Sequence, residues 1–329
     1  MVFKVFGTHI TDFIAIIGAR YGVPLFFLIS GFCIHLSQLK QNQYSDSDKF
    51  DFGKYFIRRF WRIYPAYVII LFFSCSVSAI SGEKIELADF LAHLFLLQGF
   101  ISPYFNSINL VLWTISIEAA LYFLYPVWYL LRKKFGANNA FMISVFVSAT
   151  SCLLLMNISS NNLAAEYFVL NIWAGWCFGA WLCEKIMIEE TDFVKGKLLW
   201  MSGICLTIIF YFLNSRGMAP LVSYDISIVL WAWIIVPILS LTIFFKAVKN
   251  NLFNGFVKLL SIVGISSYSL YMIHEPMFYL RNEIMNSLRL VGTMRLFFGA
   301  FWLLFTFFVA FLSYKLFEKP FIKFRSKIG

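Results

Sequence analysis

Charge is scarce in this chain. Only 13% of its 329 residues are Asp, Glu, Lys or Arg, while 60% are apolar. A soluble protein of this length cannot hide that much apolar surface, so the composition excludes a water-soluble fold and points to a polytopic membrane protein. There is no extended polar tail, no sugar-binding module and no repeat of fixed period, and nothing recognisable as a signal peptide opens the sequence. The six cysteines (Cys33, Cys75, Cys152, Cys177, Cys183 and Cys205) form no CxxC pair and lie in or beside apolar runs. They read as small buried hydrophobes, not as zinc or disulfide sites. Histidine is limited to four residues on separate elements with no paired spacing, so no metal site is expected.

What is present is apolar length. A spanning helix needs about 20 mostly apolar residues. Nine stretches meet or approach this, at roughly 21–39, 63–80, 110–131, 140–157, 166–183, 198–213, 226–245, 259–280 and 294–316. A tenth, 90–100, has only eleven residues and suits a re-entrant or interfacial segment. The expected fold class is therefore all-α: a transmembrane helix bundle of about nine spans with one short non-crossing segment, forming a single integral-membrane domain over residues 1–329. The Lys and Arg residues orient it. With 40–62 in the cytoplasm and the short segment not crossing, 20 of the 27 basic residues fall inside, including Arg132, Lys133 and Lys134. The formal net charge of +10 is thereby explained as topology, and no nucleic-acid partner is expected.

Against this apolar background four segments carry unusual residues. Residues 112–126, LWTISIEAALYFLYP, hold one carboxylate, Glu118, with Thr114, Tyr122, Tyr125 and Tyr129 on its helical face. A charge in a spanning helix costs about 2.5–3.5 kcal/mol on insertion scales and usually faces a bundle interior or wet cavity. A structural hydrogen bond to a neighbouring helix is the other reading. Residues 56–67, FIRRFWRIYPAY, place Arg58, Arg59 and Arg62 at the cytoplasmic mouth of a helix, with Arg58 and Arg62 on one face. Guanidinium groups bind phosphate bidentately, although an ordinary positive-inside cluster has the same composition. Residues 266–276, SSYSLYMIHEP, put Ser267, Tyr271 and His274 on one face. Pro276 removes the hydrogen bond to the Met272 carbonyl, so a kink with a free carbonyl and an imidazole could line a cavity. A helix-end histidine at headgroup level, beside Glu275, is the alternative. The fourth segment, 9–32, begins at His9 and includes GVPLFFLISGF. His35 and His93 belong to no motif and read as satisfied interior or interfacial histidines.

The motifs GVPLFFLISGF, RRFWRIYP, LWTISIEAALYFLYP and SYSLYMIHEP, followed by FEKP at 317–320, occur in that order. Together they resemble the signatures of the membrane acyltransferase family 3 over nearly the whole chain. The resemblance implies ten core helices, of which the first is expected to be missing upstream of Met1. It also implies transfer of an acyl group, most often acetyl from cytosolic acyl-CoA, to a hydroxyl of a surface glycan or lipid-linked sugar, within the cytoplasmic membrane of a bacterium. The family carries a catalytic His near the outer end of the first helix, preceded by Arg with ten residues between. His9 stands at about that position, and the matching Arg would lie upstream of Met1. An Arg of the RRFWR segment is functional in the family.

The expected site is accordingly His9, Glu118 and His274 as catalytic residues; Arg58, Arg59 and Arg62 for the acyl-CoA phosphates; and Thr114, Tyr122, Ser267 and Tyr271 lining the substrate cavity. No permanently bound cofactor is expected, with acetyl-CoA or another acyl-CoA serving as donor substrate. Membrane lipid and a glycan acceptor are the expected partners. A flippase for lipid-linked sugars fits the composition equally; it would transport without consuming thioester. A truncated, inactive homologue is the third reading.

Overall fold

The computed structural model describes residues 4, 5, 8, 9, 22–44, 50–159, 162–187, 255, 258, 261 and 264–328. The expected spans at 198–213 and 226–245 lie outside these, as does Cys205. The described elements are overwhelmingly helical. They are α1 (Val23–Tyr44), α2 (Phe52–Ile80), α3 (Leu87–Leu94), α4 (Trp113–Phe135), α5 (Ala137–Ser159), α6 (Leu163–Glu166), α7 (Val169–Met187), α8 (Ser267–Ser287), α9 (Gly292–Ser313) and α10 (Lys319–Ile328). A π-turn, Tyr314–Glu318, joins α9 to α10. The exception is a pair of two-residue strands, β1 (Lys4–Val5) and β2 (Thr8–His9), antiparallel with Lys4 opposite His9. Among the described residues, five segments are long and apolar enough to cross a membrane: Val23–Gln41, Phe52–Ile80, Trp113–Phe135, Ala137–Leu155 and Gly292–Lys323.

Contacts divide the chain into two compact units, Met1–Lys49 with Phe123–Val248, and Phe50–Tyr122 with Lys249–Gly329. In the first, α7 packs on α1 and α5. Glycine makes the α1–α7 approach possible. A Cβ at Gly31 would collide with the Trp176 carbonyl, and one at Gly179 with the Leu28 carbonyl. Gly175 and Gly179 form the small-xxx-small spacing that lets helix backbones meet in a bilayer. Gly179→Val is expected to force the helices apart and cost about 1–3 kcal/mol, as overpacking does. A lowered thermal unfolding midpoint in detergent would register it.

In the second unit α8 packs on α9 and α2, and α10 packs on α2. Helix α2 starts eleven residues before the expected 63, because the charged turn carrying the arginines is itself helical. Asp51 caps it by accepting from the Lys54 amide at 3.0 Å. The short segment does not form a spanning helix. Its α3 has eight residues, about 12 Å at 1.5 Å per residue, too short to span. Asn109 bonds Ser74 near the end of α2, whereas the His93 and Leu94 carbonyls accept from Tyr67 and Tyr64 deeper along it. Tyr67 lies about 20 Å from the C-terminal end of α2 on the same rise.

Three prolines interrupt these helices: Pro65, Pro126 and Pro276. Each removes a donor to the carbonyl four residues earlier, which in lipid must find another partner. For Pro126 that carbonyl is Tyr122, and the Tyr55 hydroxyl donates to it at 3.1 Å. For Pro276 it is Met272, which accepts from Asn109 Nδ2 at 3.0 Å. The carbonyl expected to stand free beside His274 is therefore occupied. It pins α8 to the loop before α4.

Candidate functional site

All the expected site residues except His9 fall in the second unit. His9 lies in β2 of the first unit, and its side chain is outside the described residues.

Glu118 is 4% exposed. Helical spacing puts Tyr122 one turn away, and the Tyr122 hydroxyl donates to Glu118 Oε1 at 2.6 Å. This short charge-assisted bond takes the carboxylate out of lipid and turns it inward. The Glu118 charge also reaches the phenols of Tyr55, Tyr268 and Tyr271. Tyr268 donates to the Ile63 carbonyl of α2 at 3.2 Å, and Tyr271 sets its hydroxyl against Thr114.

Toward the start of α2 the structure distinguishes the three arginines. Arg58 and Arg62 share a face as expected, but Arg59 is the inward residue, at 7% exposure, whereas Arg62 is exposed. The Arg59 guanidinium lies over the rings of Tyr55 and Tyr122, 5.3 and 5.8 Å from their centroids. Its Nε has no hydrogen-bond partner among the described residues. Aromatic faces offset part of the cost of burying a cation and leave its Nε–H available to an anion.

Beyond Glu118, His274 is half-buried, and Nδ1 contacts the Tyr271 carbonyl of the preceding turn. A carbonyl can only accept, so Nδ1 carries the proton and the neutral ring presents Nε2 as an acceptor. Ser267, Tyr271, His274, Phe278, Thr306 and Phe307 line a groove of about 340 Å³ between α8 and α9. The predicted face of Ser267, Tyr271 and His274 thus meets a cavity. Ser267 is exposed and its hydroxyl is spent on the Gly264 carbonyl at 2.8 Å, while Glu118 is not among the lining residues.

Read along α2, these groups form a polar column inside the unit. It runs from Arg59 through Tyr122 and Glu118 to Tyr268, Tyr271 and Thr114. A further polar layer around Tyr67 and Gln98 follows. Two members escaped the sequence reading. Glu318, 6% exposed in the π-turn, accepts from Ser269 at 3.0 Å; the FEKP motif was its only signal. Gln98 donates to the Tyr67 hydroxyl and the Leu112 carbonyl, both at 3.0 Å.

The first unit holds a separate ionic cluster. His35 is fully buried, with Nε2 2.6 Å from Glu184 Oε1 and Nδ1 3.0 Å from the Tyr125 hydroxyl. Arg132 holds the same carboxylate through Nε at 2.6 Å and Nη2 at 3.2 Å. Tyr125, expected on the Glu118 stripe, therefore serves His35. Cys177 and Cys183 are buried as expected, but Cys33 is exposed.

No solved structure matches the chain. Among curated proteins it is 24% identical over 337 residues to O-acetyltransferase OatA of Staphylococcus aureus (strain NCTC 8325 / PS 47), covering 92% of this chain and 52% of that protein. It is also 24% identical over 194 residues to acyltransferase MdmB of Streptomyces mycarofaciens, covering 55% of this chain and 47% of that one. The chain thus spans about half the length of the curated relatives it matches. The acyltransferase domain family matches residues 2–320, nearly the whole chain and all five motifs, and the protein belongs to this family, acyltransferase 3.

Proposed function

We propose that the chain transfers an acyl group, acetyl in the simplest case, from cytosolic acyl-CoA to a hydroxyl of a surface glycan or lipid-linked sugar, in the cytoplasmic membrane of a bacterium. The observation that carries this reading is the polar column of the second unit. It begins at a buried guanidinium with an unmatched N–H and continues past a buried carboxylate toward an imidazole with an accepting nitrogen. In this reading Arg59, with Arg58 and Arg62, binds the CoA phosphates. The acceptor hydroxyl gives its proton to an imidazole as its oxygen bonds the thioester carbonyl carbon. The C–S bond then breaks, and the departing CoA thiolate takes that proton. His274 is the histidine whose surroundings support the role of base; His9 is the one the family pattern supports. Glu118 and Tyr122 orient the hydroxyl, beside Thr114, Ser267 and Tyr271.

The test is thiol release from acetyl-CoA by membranes containing single variants at matched protein levels. Arg59→Ala is expected to raise KM for acetyl-CoA by about tenfold to hundredfold, the worth of one or two charge-assisted hydrogen bonds. Glu118→Gln is expected to lower kcat instead. Thiol release unchanged in Arg59→Ala, Glu118→Gln, His274→Ala and His9→Ala together would defeat the assignment. Sugar transport without thiol release would favour the flippase.

A further inference from the structure

The short segment around α3 holds an arrangement that the acyl-transfer reading does not use. His93 is fully buried on α3. Its Nδ1 faces the Asp89 carboxylate at 3.1 Å and the Asp89 carbonyl at 3.0 Å. Ser107 donates to the same carboxylate at 2.7 Å. Nδ1 therefore carries the proton, and Nε2 of the neutral ring is an acceptor. That Nε2 is buried with no partner. Gln98, fully buried beside it in the chain, has the same defect. The Leu112 carbonyl can only accept, which fixes the amide with Nε2 toward it and Oε1 unmatched. The hydroxyl of Ser116, on the face of α4 against Gly99, is the third unmatched atom. Tyr67 ties the layer together, donating to the His93 carbonyl and accepting from Gln98.

Buried polar atoms are almost always paired, and three unpaired ones on one short segment and the helix beside it call for a ligand. We propose that His93 Nε2, Gln98 Oε1 and Ser116 Oγ bind an uncharged, hydroxyl-bearing ligand of the sugar or polyol class. Two acceptors and one hydroxyl match neighbouring OH groups, and the two acceptors repel an anion. Resting on the proposed function, that ligand is the acyl acceptor, and the site lies along the column from the arginine end. The shell is closed in this structure. The segment that carries Gln98, residues 97–107, is bounded by Leu96 and Ile108, both in the left-handed region at φ +58° and +55°. A non-glycine residue there is uncommon, and β-branched Ile108 is strained.

The test uses the full chain in phosphatidylcholine nanodiscs without acyl-CoA, with methyl β-D-glucopyranoside and methyl N-acetyl-β-D-glucosaminide as probes. At least one probe is expected to move the His93 Nε2 resonance in 15N-histidine spectra. Gln98→Leu and Ser116→Ala are each expected to raise its Kd at least tenfold. If Gln98→Leu does not fold, Ser116→Ala, which deletes one atom, carries the test. No shift with either probe, a shift equal in wild type and Ser116→Ala, or a hydrogen-bonded Nε2 indifferent to probe (an internal water only) would each overturn the proposal. Probe binding with no thiol release once acetyl-CoA is then added would overturn the acyl-transfer reading instead. Acyl transfer with an unaltered acceptor KM in Ser116→Ala would overturn this one alone.

Discussion

Glu184→Ala is expected to destabilise the protein by about 3–5 kcal/mol, the cost of removing one partner from a buried ion pair. The carboxylate accepts from His35 on one side and bidentately from Arg132 on the other. Its loss leaves a fully buried imidazole and a largely covered guanidinium facing each other. The glycine-mediated approach of α1 and α7 holds His35 and Glu184 within reach, so neither helix can turn away to hydrate them. Glu184→Gln should cost much less, because the amide oxygen still accepts. Replacing all three together, as His35→Leu, Arg132→Met and Glu184→Leu, should come out near neutral, since apolar side chains of similar size carry no desolvation penalty. Thermal unfolding of the detergent-solubilised protein gives the ranking. A Glu184→Ala midpoint equal to wild type would mean the cluster is solvated and structurally idle.

That cluster was invisible in the sequence, and the reason is physical. Arg132 sits in an Arg-Lys-Lys run that topology alone accounts for, Glu184 closes an apolar stretch, and His35 has no motif. Their partners lie 52 and 149 residues apart, and no local periodicity reports a contact at that range. By contrast, the Glu118 stripe was legible because its key contact is one helical turn, Glu118 to Tyr122. At the far end of the stripe Tyr125 bonds His35 instead. Periodicity places Tyr125 and Tyr129 near the same face but cannot say which helix packs there. The prolines show the same division. The freed carbonyls of Tyr122 and Met272 follow from sequence, whereas their partners Tyr55 and Asn109 do not. Hydropathy likewise found the apolar part of α2 and missed its first three turns, whose arginines are helical through an N-cap and aromatic cover.

His274→Ala is expected to lower kcat for acyl transfer by about 10²–10⁴, the range for removing a positioned general base, with KM for acetyl-CoA little changed. The geometry separates this from a structural effect. His274 spends Nδ1 on a carbonyl of its own helix, three residues back, so the hydrogen bond that truncation removes lies within α8. The unfolding midpoint should therefore hold within about 1 kcal/mol of wild type, as a single local hydrogen bond suggests. His274→Gln sharpens the comparison. A glutamine can accept a hydrogen bond in the groove but cannot take up a proton near neutral pH. Activity retained in His274→Gln and lost in His274→Ala would make His274 a hydrogen-bonding group and leave the proton to His9. Activity lost in both, with stability intact, would assign proton uptake to the imidazole that lines the groove between α8 and α9. Activity retained in both would remove His274 from the chemistry.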